Sequence, residues 1–416
     1  MPAMYDYLLL GGGTSCAYAA AAIRETDQNG SIGIVGASSE PPYDRPPFSK
    51  YYLTDASKQI SDFHSKDESF YPDNRIDLVL NHRAVNIDRT AKQVEFEDGS
   101  KIAYGKLLYA LGCTPREFHD HTDQEPMYLR TAEDSKAIRD RIASSKSCVI
   151  IGGGYIGTEL AASLTARGLK VALIEQADRL QPGFPSRPVA DAVRRELENM
   201  GVTVVTGEPV SHVYAGRRVI TASDHEYSGD FVVAGLGHVH QRDLAKHCGL
   251  EMGMRGVRAN MKLRTSDPNI WVSGDVAEFD DTVLGDVYIA EHHLHAKASA
   301  EHAGRVMAGL DEPFKNVPYF FSDVGPLSII LRGYPERGAQ SFVFGNPTSP
   351  ALTEIFLSST GRLMGMVDVR KDYKQQDPIS ELFENLIKNR VNLSSHVERL
   401  NNPNFNLMSL NELVSV

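Results

Sequence analysis

Residues 152–165 read GGGYIGTELAASLT and follow the apolar run Cys148-Val149-Ile150-Ile151. Residues 11–24, GGGTSCAYAAAAIR, follow a second such run, Tyr5-Asp6-Tyr7-Leu8-Leu9-Leu10. Each glycine cluster stands between a strand-like run and an Ala-rich, helix-like run, which is how a βαβ unit opens. In the later copy the spacing Gly152-x-Gly154-x-x-Gly157 gives every glycine a task. The first makes the tight turn, the second lets backbone approach a pyrophosphate, and the third lets the helix pack against its strand. Gly153, Tyr155 and Ile156 fill the spaces of this motif. The anion then rests on free N–H groups at the helix N-terminus, where the dipole favours it.

The next strand of that unit, KVALIE, ends in Glu175. An acid there holds a ribose 2′-hydroxyl and repels a 2′-phosphate, so NADH is expected over NADPH. The first copy differs. Its motif is Gly11-x-Gly13-x-x-Cys16, with Thr14 and Ser15 opening the helix and a cysteine at the third glycine position. Its second strand, SIGIVG, leads into ASSE, and neutral Ala37 stands where the acid belongs. Ser38 or Ser39 offers a weaker ribose hydrogen bond, or Glu40 reaches back. That dinucleotide is expected to be held mainly by its pyrophosphate and buried ring. Two adjacent dinucleotide sites suit hydride movement between a tightly held flavin and an exchangeable nicotinamide.

The 416 residues suffice for two or three domains with large cores. With 43 basic against 54 acidic residues the net charge is −11, which disfavours nonspecific binding to nucleic acid or anionic membrane. No signal-peptide or transit pattern is visible at the N-terminus, and no apolar run approaches a bilayer span. Cys16, Cys113, Cys148 and Cys248 form no CxxC pair, so buried thiols of a reducing compartment, the cytoplasm, are expected.

Residues 88–110 read as a β-meander, with Val94, Phe96 and Ile102 alternating and Asp98-Gly99 as the turn. A second meander is expected over 202–235, with Val204, Val213 and Val219 leading to DFVVAGLG. An exposed helix is expected around Asp134 to Lys146. From about Pro318 the sequence turns richer in Gly, Pro, aromatic and β-branched residues, as in a small, mostly β domain. A helix around Ile379 to Lys388 follows.

Several segments together resemble the FAD-dependent pyridine nucleotide oxidoreductases: PPYDRPPFSK, YALGCTPRE, LRTAED, GGGYIGTELA, WVSGDVAEF and EHHLHAKASAEHAG. The resemblance is strongest to the branch that holds apoptosis-inducing factor, ferredoxin and rubredoxin reductases and monodehydroascorbate reductase. EHHLHA and FFSDVGP look most like its apoptosis-inducing factor members. It implies an α/β chain with two Rossmann-like domains bearing β-meanders and a C-terminal α+β interface domain. The FAD domain would be residues 1–117 and 241–315, the NAD domain 118–240, and the interface domain 316–416. The activity implied is hydride transfer from NADH to FAD and onward to an electron acceptor, of iron–sulfur or quinone-like kind. A second copy of the chain is a further expected partner. The reading is an NADH oxidoreductase of apoptosis-inducing-factor type; a ferredoxin, rubredoxin or monodehydroascorbate-type reductase is the alternative enzyme, and an interaction protein that turns over NADH slowly is the alternative of another class.

The resemblance also assigns roles. Arg45 would lie along FAD and Lys50 near flavin N5, where a cation stabilises the charge that arrives with a hydride. Glu159 would face the flavin, pair with Lys50 and position the nicotinamide. Asp275 would bind the ribityl chain. Glu291, His292 and His293 would open a helix at the flavin N1–C2=O edge. Val85, Ala110, Gly112, Arg130 and Phe321 resemble further FAD contacts, and Gly235, with Glu291, NAD contacts. Phe321 stands where Trp is usual in the branch, and Leu331 where a glutamate is expected. Plainer readings stand beside these: a proline turn with solvated charges for Arg45 and Lys50, a helix-start carboxylate for Glu159, an N-cap for Asp275. His292, His295 and His302 share parts of a helix face, but no carboxylate or cysteine completes a metal set, and none is expected. No Cys-x4-Cys stands beside the flavin segment, which excludes a disulfide reductase.

Overall fold

In this computed structural model the described residues are 3–118, 125–346, 351–371 and 378–414. The outer limits of the expected domains, residues 1 and 416, lie outside them. The chain divides into two compact units. One contains Met1–Asp44, Gln59–Thr114 and Val239–Pro318; the other contains Arg45–Lys58, Pro115–His238 and Tyr319–Val416.

The first unit is built on a seven-stranded sheet. Its order is Ile76–Val79, Ile32–Val35, Met4–Leu10, Lys101–Tyr109, Gln93–Phe96, Ala84–Asp88, with Ile270–Val272 also paired to Lys101–Tyr109. Met4–Leu10 takes the centre because Leu8, Leu9 and Leu10 are all buried, as a strand covered on both faces requires. It runs parallel to both neighbours, with Leu10 opposite Val35 and Tyr109, so three strand ends align at Gly11. The expected meander is present and antiparallel, Val94 opposite Ile87 and Ile102. The helix Thr14–Thr26 packs along His293–Met307. A Cβ on Gly304 would lie 2.5 Å from the Ala19 carbonyl oxygen, so the two backbones meet closely there.

The second unit repeats the plan with four parallel strands, in the order Thr203–Thr206, Lys170–Glu175, Ser147–Ile151, Phe231–Ala234. Val204 therefore belongs to this sheet, opposite Leu173, and not to a meander. It follows the helix Arg187–Asn199, and a strand–helix–strand crossover returns parallel. The meander itself is Val210–Tyr214, Arg218–Thr221 and Glu226–Ser228. The expected exposed helix is Ala132–Ile142, begun by a capping box between Thr131 and Asp134.

The C-terminal portion forms a five-stranded antiparallel sheet, Tyr319–Val324, Leu327–Gly333, Leu363–Lys371, Leu352–Leu357, Gln340–Gly345. The helix Pro378–Lys388 lies on it, close to the expected bounds. This sheet groups with residues 115–238 in one compact unit. Part of the reason is polar: Ser186, the N-cap of Arg187–Asn199, donates to buried Glu354 at 2.5 Å, and Lys371 pairs with Glu196 at 2.9 Å.

Candidate functional site

In the first unit the strand Met4–Leu10 ends at Gly11, whose φ is +137°. A Cβ there would stand 2.3 Å from the Ala110 carbonyl oxygen, and one on Gly36 would stand 2.9 Å from Gly12 Cα. Gly13 is the N-cap of Thr14–Thr26 and brings no side-chain oxygen to the helix amides. This is a backbone cradle free of Cβ atoms at a helix N-terminus, the donor set a pyrophosphate needs. Thr14 Oγ1 donates to the Tyr43 carbonyl at 3.0 Å, and Ser15 Oγ to that of Ala296 at 3.3 Å. Cys16 is fully buried, and burial pushes its thiol well above the usual range. It fills the helix–strand contact and is chemically inert.

Asp44 was not singled out from the sequence, yet several groups converge on it. Thr14 Oγ1 lies 3.2 Å and Ser65 Oγ 2.6 Å from its Oδ1; His293 Nε2 lies 3.4 Å and Lys297 Nζ 3.7 Å from its Oδ2. Burial alone would raise this carboxyl, but hydrogen bonds from His293 and Ser65 and the electrostatic pull of His293 and Lys297 hold it down at about 2. Asp44 so ties together the first residues of two helices, Thr14 and His293.

Gly274 has φ +73° and approaches Ser15, and Asp275 Oδ2 accepts from the Cys113 thiol at 3.4 Å. His292 is the N-cap of His293–Met307 but its side chain makes no capping hydrogen bond to the helix, and burial pushes its imidazole down. Glu291 is held by His240 at 3.0 Å and by Arg255. Ser38 Oγ accepts the Glu40 amide at 3.1 Å, and Glu40 itself pairs with His64 at 3.3 Å. Gly112 has φ +66°, and Val85 lies exposed on its strand. Of the histidines weighed for a metal, His295 is stacked on Phe279 and His302 contacts the Glu312 carbonyl.

In the second unit Gly152 has φ +99°, and a Cβ there would lie 2.2 Å from the Gly235 carbonyl oxygen. A Cβ on Gly157 would lie 1.9 Å from that of Gly152, so only glycine lets the helix Tyr155–Ala166 start there. Gly154 caps this helix, again with no side-chain oxygen. Glu175 is buried; its carboxylate accepts the amides of Gly153 at 2.6 Å and Ala177 at 2.8 Å. The Tyr155 ring meets that of Phe320 at a tilt, with centroids 4.5 Å apart, while Ile156 is exposed.

The two expected catalytic side chains meet. Lys50 Nζ lies 3.3 Å from Glu159 Oε1, with 8% exposure left to each side chain. Pro46 and Pro47 begin the 3-10 turn Pro46–Ser49, capped by Arg45. Its carbonyls are pinned by Ser135 Oγ to Phe48 at 2.7 Å and by Ser163 Oγ to Ser49 at 2.7 Å. Arg167 reaches the Leu53 carbonyl at 2.6 Å, and Arg139 lies over the Tyr52 ring. Glu159 also accepts from Ser49 Oγ and, at 2.6 Å, from Ser322 Oγ. Lys50 also contacts Asp323 Oδ2 at 3.4 Å, and its ammonium lies 5.0 Å from the Phe321 ring. Arg130 enters through its backbone, donating to Asp134 at 3.0 Å. Ser49, Ser322 and Asp323 were missed from the sequence, although FFSDVGP carries two of them.

The sequence matches the pyridine nucleotide-disulphide oxidoreductase family over residues 5–301. It is 31% identical to the rubredoxin–NAD(+) reductase of Pseudomonas putida, over 77% of this chain and 85% of that one. It is 30% identical to the ferredoxin–NAD(+) reductase component of the anthranilate 1,2-dioxygenase system of Burkholderia cepacia, over 87% and 90%. The crystal structure of a ferredoxin reductase from Rhodopseudomonas palustris superposes with a TM-score of 0.81 at 27% identity, covering 88% of this chain and 91% of the other. The chain belongs to the pyridine nucleotide-disulphide oxidoreductase family. It is an oxidoreductase of the flavoprotein kind, with FAD and NAD(H) as its cofactors. These relatives are reductases of the branch that the sequence motifs resemble. Among the described residues no helix is long and apolar enough to cross a membrane.

Proposed function

We propose that this chain takes a hydride from NADH and delivers the electrons to a small iron–sulfur protein of the ferredoxin or rubredoxin type. The observation that carries this reading is the buried Lys50–Glu159 pair, which joins the turn after Pro46–Ser49 to the start of the helix Tyr155–Ala166. The choice of acceptor is supported by the relatives at 30–31% identity, which are named for rubredoxin and ferredoxin.

Bound FAD would accept the hydride and release its electrons singly to the acceptor. The chain's own residues bind and orient. Gly11, Gly13, Thr14, Ser15 and Asp275 hold the FAD pyrophosphate and ribityl chain, with Ser38, Arg45, Val85, Ala110, Gly112, Arg130 and Phe321 along the rest. Gly152 to Gly157 receive the NADH pyrophosphate, Glu175 faces the adenosine ribose, and Gly235 and Glu291 border the nicotinamide side. Lys50 would present its ammonium to the flavin, while Glu159 would keep that ammonium oriented and position the nicotinamide. The helix N-terminus at His292 and His293 would stabilise negative charge on the ring through its dipole and backbone N–H groups, with the two histidines at the ring edge.

The division into an FAD domain of residues 1–117 and 241–315, an NAD domain of 118–240 and an interface domain of 316–416 belongs to the same reading. So do a cytoplasmic location, supported by four free cysteines, and a homodimer. Steady-state NADH oxidation with ferredoxin, rubredoxin, quinone and monodehydroascorbate as acceptors tests it. Fast turnover with one iron–sulfur protein supports the reading. Uniformly slow turnover, with a long-lived reduced complex, replaces it by a redox-responsive interaction protein.

A further inference from the structure

The edge strand Tyr319–Val324 passes beside the Lys50–Glu159 pair and engages both partners. Side chains along a strand alternate in direction, and here the alternation has a chemical result. Phe320 packs at a tilt against Tyr155, and Ser322 donates to Glu159 Oε1 at 2.6 Å. Phe321 and Asp323 serve the lysine instead: the Phe321 ring lies 5.0 Å from Lys50 Nζ, and Asp323 Oδ2 lies 3.4 Å from it. The other Asp323 oxygen accepts from Ser328 Oγ at 2.8 Å, which fixes the carboxylate with Oδ2 toward the lysine.

Lys50 thus stands between two carboxylates at nearly equal distance, 3.3 and 3.4 Å. Glu159 is held by Ser49, Ser322 and the lysine. One cation shared by two anions leaves the cluster with a net negative charge when all three are ionised. The second carboxylate adds its own negative field beside the lysine and attracts the ammonium toward itself, so less positive potential reaches other groups near the lysine.

We propose that Asp323 is a positioning residue for the hydride transfer, acting through Lys50 to set how much positive charge the lysine presents to the flavin. This rests on the reading that Lys50 stands at the flavin. Hydride arrival adds negative charge to the ring, so a fully available ammonium favours reduction, and a second carboxylate on that ammonium opposes it. Asp323 then keeps the reduced flavin a stronger electron donor than Lys50 and Glu159 alone would.

The test is anaerobic spectroelectrochemical titration of the FAD-loaded protein, comparing wild type with Asp323→Asn, Asp323→Glu, Lys50→Met and the double variant Lys50→Met/Asp323→Asn. Asn keeps a carbonyl for Ser328; Asp323→Ser substitutes for it if melting curves show that Asp323→Asn does not fold. The midpoint potential should rise in Asp323→Asn, return to the wild-type value in Asp323→Glu, and fall in Lys50→Met. In the Lys50→Met background, removing the Asp323 charge should shift the potential by much less than it does in wild type. An unchanged potential in Asp323→Asn overturns the proposal, as does an equal shift with and without the lysine. If Lys50→Met itself leaves the potential unmoved, it is the placement of Lys50 at the flavin that fails.

Discussion

The carboxylate of Glu175 accepts the amide of Gly153 at 2.6 Å, 22 residues away, so the acid at the end of one strand braces the glycine turn at the end of its neighbour. A second oxygen is occupied by the Ala177 amide. Glu175 therefore shapes the pyrophosphate turn as well as charging the ribose site.

Replacing it tests both tasks. Glu175→Gln keeps an acceptor for Gly153 and removes the charge that repels a 2′-phosphate. The preference for NADH over NADPH, read as a ratio of kcat/KM values, should narrow by roughly tenfold, equivalent to ~1.4 kcal/mol. Glu175→Ala should narrow it too, but with weaker binding of both nucleotides and a lower melting temperature. A wild-type preference for NADPH would contradict this role.

The Lys50–Glu159 pair should respond unevenly to its two single substitutions. Glu159→Gln leaves Lys50 in contact with Asp323, whereas Lys50→Met leaves two carboxylates without their shared cation. Breaking a buried pair costs about 3–5 kcal/mol, so both should be measurable, with Lys50→Met the more damaging. Stopped-flow reduction by NADH in both singles and in the double variant measures the coupling. The double should be milder than the sum of the singles. Strictly additive rates would mean that the two side chains do not act together.

His295 gives the folded protein a pH dependence. Its ring is buried between Phe279 and Phe314, and burial pushes the imidazole down from 6.5 to about 3, against a small opposing pull from Asp275. Above pH 6.5 neither the folded nor the unfolded chain protonates this group, and its contribution is constant. As pH falls below 6.5 the unfolded chain takes up a proton that the folded chain refuses, so stability drops by up to about 1.4 kcal/mol per pH unit for one group. Burial moves His292 the same way. Urea midpoints should fall between pH 7.5 and 5, and the slope should be shallower in His295→Phe. Parallel slopes would show that His295 is protonated when folded.

Asp44 is expected to matter for keeping FAD. Asp44→Asn removes the charge that holds His293 and Lys297 while leaving an acceptor for Ser65. The variant should lose more FAD on gel filtration than wild type and melt at a lower temperature. Because the Asp44 carboxyl is held at about 2, below the ordinary 3.8, its stabilising contribution is complete above pH 4 and disappears as pH falls toward 2.

What the sequence disclosed and what it did not follow the same physical line. The two glycine turns were legible because each glycine answers a local demand: a positive φ at Gly11 and Gly152, a carbonyl in contact at Gly157. Glu175 was legible because a strand of fixed length places it beside the turn. The Lys50–Glu159 meeting came from resemblance alone, since 109 residues separate the two. Ser322 was not found because it lies 163 residues from Glu159 and its direction depends on the register of an edge strand. Val204 was misassigned because its alternation fits a meander and a parallel edge strand equally well.

The close approach of Gly304 to Ala19 bears on how the chain comes off the ribosome. The strand Lys101–Tyr109, neighbour of Met4–Leu10, is synthesised well before the helix His293–Met307 that packs along Thr14–Thr26. At ordinary elongation rates the interval is roughly 10–40 s, far longer than the collapse of a nascent segment. For that time Ala19, which meets Gly304 in the finished protein, lacks that cover. Synthesis of this protein should therefore depend on holdase chaperones, and a slower stretch of translation between the two glycine turns should lower the yield of soluble chain.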